Sequence, residues 1–389
     1  MAPLVRGHDA WTAVEIAENS LAATWGDVPS GTTPYEWKAL PILSETMTVE
    51  RESYPKSKEF GESGALPFVE PGATLVKGTL VIQPRYNQEW FWNLIAQFMG
   101  DEVLTPDVDI YGVANGTNVC NQHAFVFASA LSRGFGLRVW KGGATQAGYI
   151  QNFMGCMISR MVWEQPEDDV PKITLDILGK MPAAPYTTLA SAGPLSTVGQ
   201  LAGGSVITPI YVKPRDMSNV VGTDSKFQVG ASLAQLNFRG FTLTVDRHLT
   251  FETAFANDPD NPEQPGVSET RDITMDIRSQ VEQDYLAAGK PYREFLDKTV
   301  SKCRAVYAST SVVNGSQKFA IMLDFPSVVW EEARAAISEP GAPPSNFKFR
   351  ATNGTFVTPA TPPTGSAGDF RMICAVKPTD DGDAAWSVL

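Results

Sequence analysis

Histidine and cysteine are scarce in this chain, with three and four among 389 residues. His8, His123 and His248 lie far apart, and no HExxH, GxSxG, phosphate-loop or complete GxGxxG pattern occurs. Zinc-hydrolase, α/β-hydrolase and nucleotide-binding chemistry thus have no local signature, although a triad assembled across a fold would leave none. Cys120, Cys156, Cys303 and Cys374 show no CxxC spacing. They read as small buried apolar residues rather than as a disulfide or zinc set. No stretch reaches the roughly 18–20 apolar residues of a membrane-spanning helix. The start carries Arg6, His8 and Asp9 with no long apolar run after them, so a secretory leader is not expected and folding in a reducing cytosol is. Basic residues are short as well: 31 Lys+Arg face 43 Asp+Glu, a formal net charge of −12. Such a surface repels phosphate and argues against a nucleic-acid clasp, while an acidic wall that DNA passes without sticking is compatible with it.

What the chain does have is apolar mass and punctuation. Hydrophobic residues make up 43%, enough for real cores, and 32 Gly with 28 Pro fit the many turns of an all-β protein. One short strand pattern appears twice. Thr46-Met47-Thr48-Val49-Glu50-Arg51 and Thr242-Leu243-Thr244-Val245-Asp246-Arg247 share one alternation and end in an acid followed by Arg. Three more elements follow each copy in the same order. Gly78–Ile82 answers to Asp272–Ile277, whose Ile273, Met275 and Ile277 alternate with Asp272, Thr274 and Asp276 as in a half-buried strand. A helix follows, with Phe91, Leu94, Ile95 and Phe98 as one apolar stripe and Tyr292, Phe295 and Leu296 repeating its first three positions after Pro291. The fourth element is a strand carrying Val162-Trp163-Glu164, then Val329-Trp330-Glu331. Two copies of one domain of ordinary size are expected.

In chain order, residues 1–35 read as an N-terminal arm with a short helical piece around Ala13–Ala23. Residues 36–180 form the first domain, 181–206 an uncharged Ala/Gly/Ser/Thr/Pro linker, 207–378 the second domain, and 379–389 an acidic tail. Two long polar loops, 52–77 and 248–270, sit at the same place in the repeat, which suggests a shared task in contacting another subunit. Asn115-Gly116, Asn314-Gly315 and Asn353-Gly354 signal hairpin turns. Strands are expected at 123–128, 136–140, 156–164, 172–178, 318–325, 347–351 and 370–376.

Candidate chemistry is thin. His123, beside Phe125 and Phe127, reads more plainly as a satisfied strand histidine than as a base. His248 suits a turn or an interface. Glu164–Asp169 and Asp258–Glu263 offer hard oxygen ligands at close spacing but lack the pattern of a calcium loop, so solvated turns are the simpler reading. Trp90-Phe91-Trp92 suits a core or a subunit interface better than base stacking. No cofactor, metal or catalytic residue is expected.

The run Leu43–Arg51, the long loop, Gly78-Thr79-Leu80, the helix, Gly155-Cys156-Met157-Ile158-Ser159 and Lys172-Ile173-Thr174-Leu175-Asp176-Ile177-Leu178-Gly179 together resemble phage tail tube proteins. Glu15 and Trp25-Gly26, ahead of the first strand, are similar too. The resemblance implies a mainly β fold: two tandem tail-tube-type β-sandwich or barrel domains, each with one flanking α-helix. It implies a structural subunit of a virion tail, assembled in the host cytoplasm with other tail proteins. Rings would stack into a tube through which DNA passes without specific binding. Family rings are usually hexamers of one-domain chains, so two domains per chain imply homotrimeric pseudo-hexameric rings, with a homohexamer as the alternative.

The resemblance places the two long loops at the contact between rings, so Lys56, Lys58, Glu59, Glu62, Asp258, Asp260 and Glu263 are the stacking candidates. Glu50, Asp176, Asp246, Asp272 and Asp276 are the candidates for the lumen wall, since they lie opposite apolar neighbours on alternating strands. Two other classes compete. One is a different virion part built of tandem β-sandwiches: a decoration, baseplate or adhesin protein. The other is a β-sandwich carbohydrate-active enzyme, which would need paired carboxylates in a cleft.

Overall fold

The computed structural model describes residues 10–18, 38–40, 42–55, 69–114, 116, 120–128, 134–143, 149–180, 186–188, 210–213, 227–229, 234–236, 238–251, 264–280, 286–314, 317–335, 344–355 and 367–376. The first half holds β1 (Ala10–Glu18), β2 (Lys38–Leu40), β3 (Ser44–Glu45), β4 (Thr48–Pro55), β5 (Val69–Ile82), α1 (Glu89–Met99), β6 (Gly100–Thr105), β7 (Asn121–Phe127), β8 (Phe135–Gly143), β9 (Tyr149–Gln165), β10 (Lys172–Lys180) and β11 (Tyr186–Thr188). The second half continues with β12 (Gln228–Val229), β13 (Ala234–Gln235), β14 (Phe238–Asp246), β15 (Leu249–Thr250), β16 (Gly266–Val267), β17 (Asp272–Gln280), α2 (Pro291–Asp297), β18 (Ser301–Asn314), β19 (Gln317–Ala335), β20 (Pro344–Ala351), β21 (Gly354–Thr355), β22 (Ala367–Gly368) and β23 (Arg371–Val376). The chain is mainly β, as its alternating pattern predicts.

The organising feature is one antiparallel run of eight strands in the order β4-β5-β10-β9-β14-β17-β20-β19. Its two four-strand ladders match rung for rung. Thr48 faces Lys77 as Thr244 faces Thr274. Leu80 faces Leu175 as Ile277 faces Phe347. Met161 faces Leu175 as Ala333 faces Phe347. Each ladder also carries one bulge at the same place, an extra Ser159 in β9 and an extra Glu331 in β19. Bulges re-aim a strand and locally raise its twist, so a shared one is a specific likeness.

The long strands β9 and β19 serve two layers. Their N-terminal parts leave the ladders and pair with a second layer: β8 and β11 on β9, and β18 and β23 on β19. Gly155, at φ 57, sits where β9 passes from one layer to the other, in a conformation that glycine adopts without strain. Between the layers lies one continuous apolar core that includes Phe91, Trp92, Phe125, Trp163, Leu243, Met275, Tyr307 and Phe349. Trp90, Phe91 and Trp92 are all buried, with Trp92 stacked on Phe125 at 5.7 Å, as a core reading of that run requires. All four cysteines are free and buried.

The β6–β7 hairpin crosses between the halves. β7 pairs with β23 over six rungs, so a piece of the first half extends the second layer of the second half. In the second half no such hairpin lies between the helix and the next strand, since α2 ends at Asp297 and β18 starts at Ser301. Within the strap His123 and Glu102 bond each other with both side chains fully buried. His123 is thus a satisfied strand histidine.

Several expectations need correction. The arm at Ala10–Glu18 is a strand, not a helix, and pairs with β8 along its whole length. Thr12, Val14 and Ile16 are β-branched at alternate positions, which suits an extended chain. The loop expected at 52–77 is shorter: β4 runs to Pro55 and β5 starts at Val69, since cross-strand pairing outweighs the Gly/Pro-rich composition. The loop at 248–270 likewise contains the short β15–β16 pair. Gly116 falls within 106–120, the long connection of the β6–β7 hairpin, and Asn115 lies outside the described residues. Gly354 opens β21, which pairs with β22. Asn314 does close its hairpin, opposite Gln317. Of the stretch read as a linker, 181–206, only β11 is described, and it pairs with β9; Ile210 and Val212, at the start of the range read as the second domain, bond to Tyr86 and Pro84 of the first half. Trp163 and Trp330 do not share a rung: Trp330 stands where Ile158 stands, and Ala335 where Trp163 does. The tail 379–389 lies outside the described residues.

Candidate assembly surface

The eight-strand run has one apolar and one polar face, as period-two alternation dictates. On β10, Ile173, Leu175 and Ile177 are buried while Lys172, Thr174 and Asp176 face out. The five lumen candidates all fall on this polar face. Asp176 faces Arg160, which faces Asp246 across the middle of the sheet. Asp246 faces Asp272, and Asp276 faces Thr242 and Lys348. Glu50 bonds Lys77 at 3.3 Å. A hollow of this face, open to solvent, is lined by Glu164, Thr242, Asp276, Glu332 and Lys348, one from each of five strands.

The acids do not stand alone there. Lys172 meets Glu164 at 3.4 Å, and Arg160 meets Asp176 at 3.9 Å. Arg350 bonds Glu331 at 2.6 Å and also Asp272, and Arg334 bonds Glu332. The bonds to Glu331, then the charge of Asp272, raise the Arg350 pKa, while burial opposes them. Asp176 is shifted up by partial burial; Arg160 pulls it back and Asp246 pushes it further up. The polar face is therefore a threonine-rich surface with interleaved charges of both signs. The excess of acid in the whole chain is not concentrated on it. The sequence reading singled out the acids and passed over Lys77, Arg160, Lys172 and Arg350. The same alternation that marked the acids places these bases beside them.

The two halves meet at β9 and β14. Arg160 faces Asp246, Met161 faces Val245, Val162 faces Thr244 and Trp163 faces Leu243. The joint is reinforced by Arg247, whose Nη1 donates to the carbonyl of Phe98 at 2.7 Å, near the C-terminus of α1. Its guanidinium also lies 5.8 Å from the centre of the Phe98 ring. Burial, then the charge of Arg271, pushes the Arg247 pKa down to about 10. At the two ends of the run, β4 pairs only with β5, and Val329–Ala335 of β19 pair only with β20 among the described residues. Each outer strand thus presents a row of unpaired backbone groups, a template for another strand.

Lys56, Lys58, Glu59 and Glu62, and Asp258, Asp260 and Glu263, lie outside the described residues. Among the described residues no group of three or more His, Cys, Asp or Glu side chains is placed to hold a metal ion, and no helix is long and apolar enough to cross a membrane. Against protein families, the profile described as "Phage tail tube protein" matches residues 23–369, most of the chain. No curated protein matches.

Proposed function

Because the chain belongs to the phage tail tube protein family, and so is a structural subunit of a virion tail, we propose that three copies close into a pseudo-hexameric ring. Each contributes its two ladders to one continuous barrel, with the polar face turned inward. The observation that carries this is the internal β9–β14 joint. One chain already joins two matching four-strand ladders edge to edge and leaves matching edges at its ends. Repeating that joint between copies removes the exposed edges by closure. Two ladders per chain and six per ring give three chains; a ring of six chains is the alternative. The solvent-open hollow on the polar face favours that face as the inner one.

The proposed rings stack into a tube through the loops containing Lys56 and Lys58 and those containing Asp258, Asp260 and Glu263, where opposite charges would fix register. DNA passes down the bore to the host cell. A wall with balanced, mutually paired charges offers phosphate no continuous basic track. The two halves are read as duplicated domains within 36–180 and 207–378, and the ring forms in the host cytoplasm before joining other tail proteins. Negative-stain microscopy and native mass measurement of the purified protein test the reading. Rings of three chains and hollow tubes support it. A protein that stays monomeric, or forms solid spikes, overturns it.

A further inference from the structure

We infer that Arg51 closes the seam between copies as Arg247 closes the joint within one, by bonding the C-terminal carbonyls of the preceding copy's α2. This deepens the ring reading and rests on it. The two arginines occupy the same place in the repeat. Each follows the acid of its strand, Glu50 or Asp246, and the matching rungs of β4 and β14 make that correspondence structural. Their surroundings differ in the way a seam would require. Arg247 is buried, with 6% of its surface exposed, against the end of α1. Arg51 is exposed, and among the described residues no α1-like helix of its own chain stands in the corresponding place.

The other side of the seam shows the complementary feature. Ile95 of α1 is buried at 1%, whereas Leu296, the corresponding stripe residue of α2, is 52% exposed. Val300, just beyond the helix, is 64% exposed. The last turn of α2 therefore ends in an uncovered apolar patch beside helix-terminal carbonyls, which carry partial negative charge and favour a cation. An arginine brings both a donor fork and an apolar stem to such a place.

The register follows from the internal joint. β18 already pairs with β19 as far as Val328, so a new strand can pair on that edge only from Val329 onward. Carrying the β9–β14 rungs across the matched ladders sets Ala333 opposite Val49 and Arg334 opposite Thr48 of the next copy. The register suggested by the repeated Val-Trp-Glu would put Val328 opposite Val49, on the edge that Ser301 occupies.

The test uses the full chain. Arg51→Ala is expected to leave the melting temperature of the unassembled chain unchanged. It should raise the concentration needed for ring formation about tenfold or more, the scale of losing a charged hydrogen bond at each seam. Arg51→Lys should fall between. In assembled material, Thr48→Cys with Arg334→Cys should oxidise to covalently closed trimers. Thr48→Cys with Val329→Cys should not, because five residues of strand span about 16 Å and a disulfide needs Cα atoms within about 7 Å. Should the cysteine variants fail to assemble, a density map of the unsubstituted tube reads the same rungs directly. Unchanged assembly by Arg51→Ala, or the Val329 register by disulfide or map, overturns the inference while leaving the ring intact. Absence of rings from the unsubstituted protein overturns the ring reading itself.

Discussion

The indole N–H of Trp330 donates to Oε2 of Glu294 at 3.0 Å, and both residues are buried. This bond fixes α2 against β19, behind the strand edge proposed to form the seam. Trp330→Phe keeps most of the packing and leaves the carboxylate without that donor. An unsatisfied buried acceptor costs about 1–3 kcal/mol. Urea denaturation should show a loss of that size, with assembly weakened further because α2 shifts. A variant as stable as the parent would show that Glu294 finds another donor.

The buried His123–Glu102 pair is the second place to look. His123→Ala removes one buried hydrogen-bond partner of Glu102, a change that costs about 1–3 kcal/mol. The loss should appear as early hydrogen exchange of β6 and β7, before the ladders open. Uniform destabilisation with no local opening would argue against the strap as a separable unit.

Gly78 lies under Met47. A Cβ at position 78 would come within 2.5 Å of the Met47 Cα, a backbone atom that cannot rotate away. Gly78→Ala should therefore destabilise by about 1–3 kcal/mol through overpacking. It should do so by displacing the start of β4, so proteolysis near Ser44–Thr48 is the local readout.

Partial burial raises the Asp176 pKa above its ordinary 3.8. The folded state then holds the proton more tightly than the unfolded one. Its contribution to stability is present below the ordinary carboxylate value and is lost as pH rises through the folded value. Asp176→Asn should flatten the stability profile across that acidic window and leave the neutral-pH fold intact. An unchanged profile would remove Asp176 from the account.

Shortening 56–68, and not the strands on either side, should give rings that no longer stack. β4 and β5 pair up to Pro55 and from Val69, so cutting further would remove ladder rungs as well. Sedimentation separates single rings from tubes. Tubes of full length would rule out this loop as the stacking element.

Much of the fold was readable because alternation is a local signal. Thr242–Asp246 and Asp272–Ile277 carry their faces in their own sequence, and the ladders keep the match between Thr46–Arg51 and Thr242–Arg247. The repeated Val-Trp-Glu misled for a physical reason. Tryptophan fills any roomy core site on the right face, and sliding along a strand by an even number of residues preserves the face. Only cross-strand pairing fixes the rung. The Glu164–Asp169 turn and the acids of β17 were visible, but the pairing of Glu164 and Asp272 was not, because Lys172 and Arg350 reach them from other strands. The β7–β23 strap had no local signal at all, since hairpin residues look the same whichever sheet they join.

That strap has a consequence for how the outside of the tube can be read. Each chain brings two ladders but one β6–β7 hairpin, so the proposed three-chain ring would repeat six times around its inner wall and three times around its outer surface. A rod travelling through such a ring would meet a sixfold track. A protein gripping its outside would find three equivalent handles, one-third of a turn apart, and a collar built to fit them would itself count in threes.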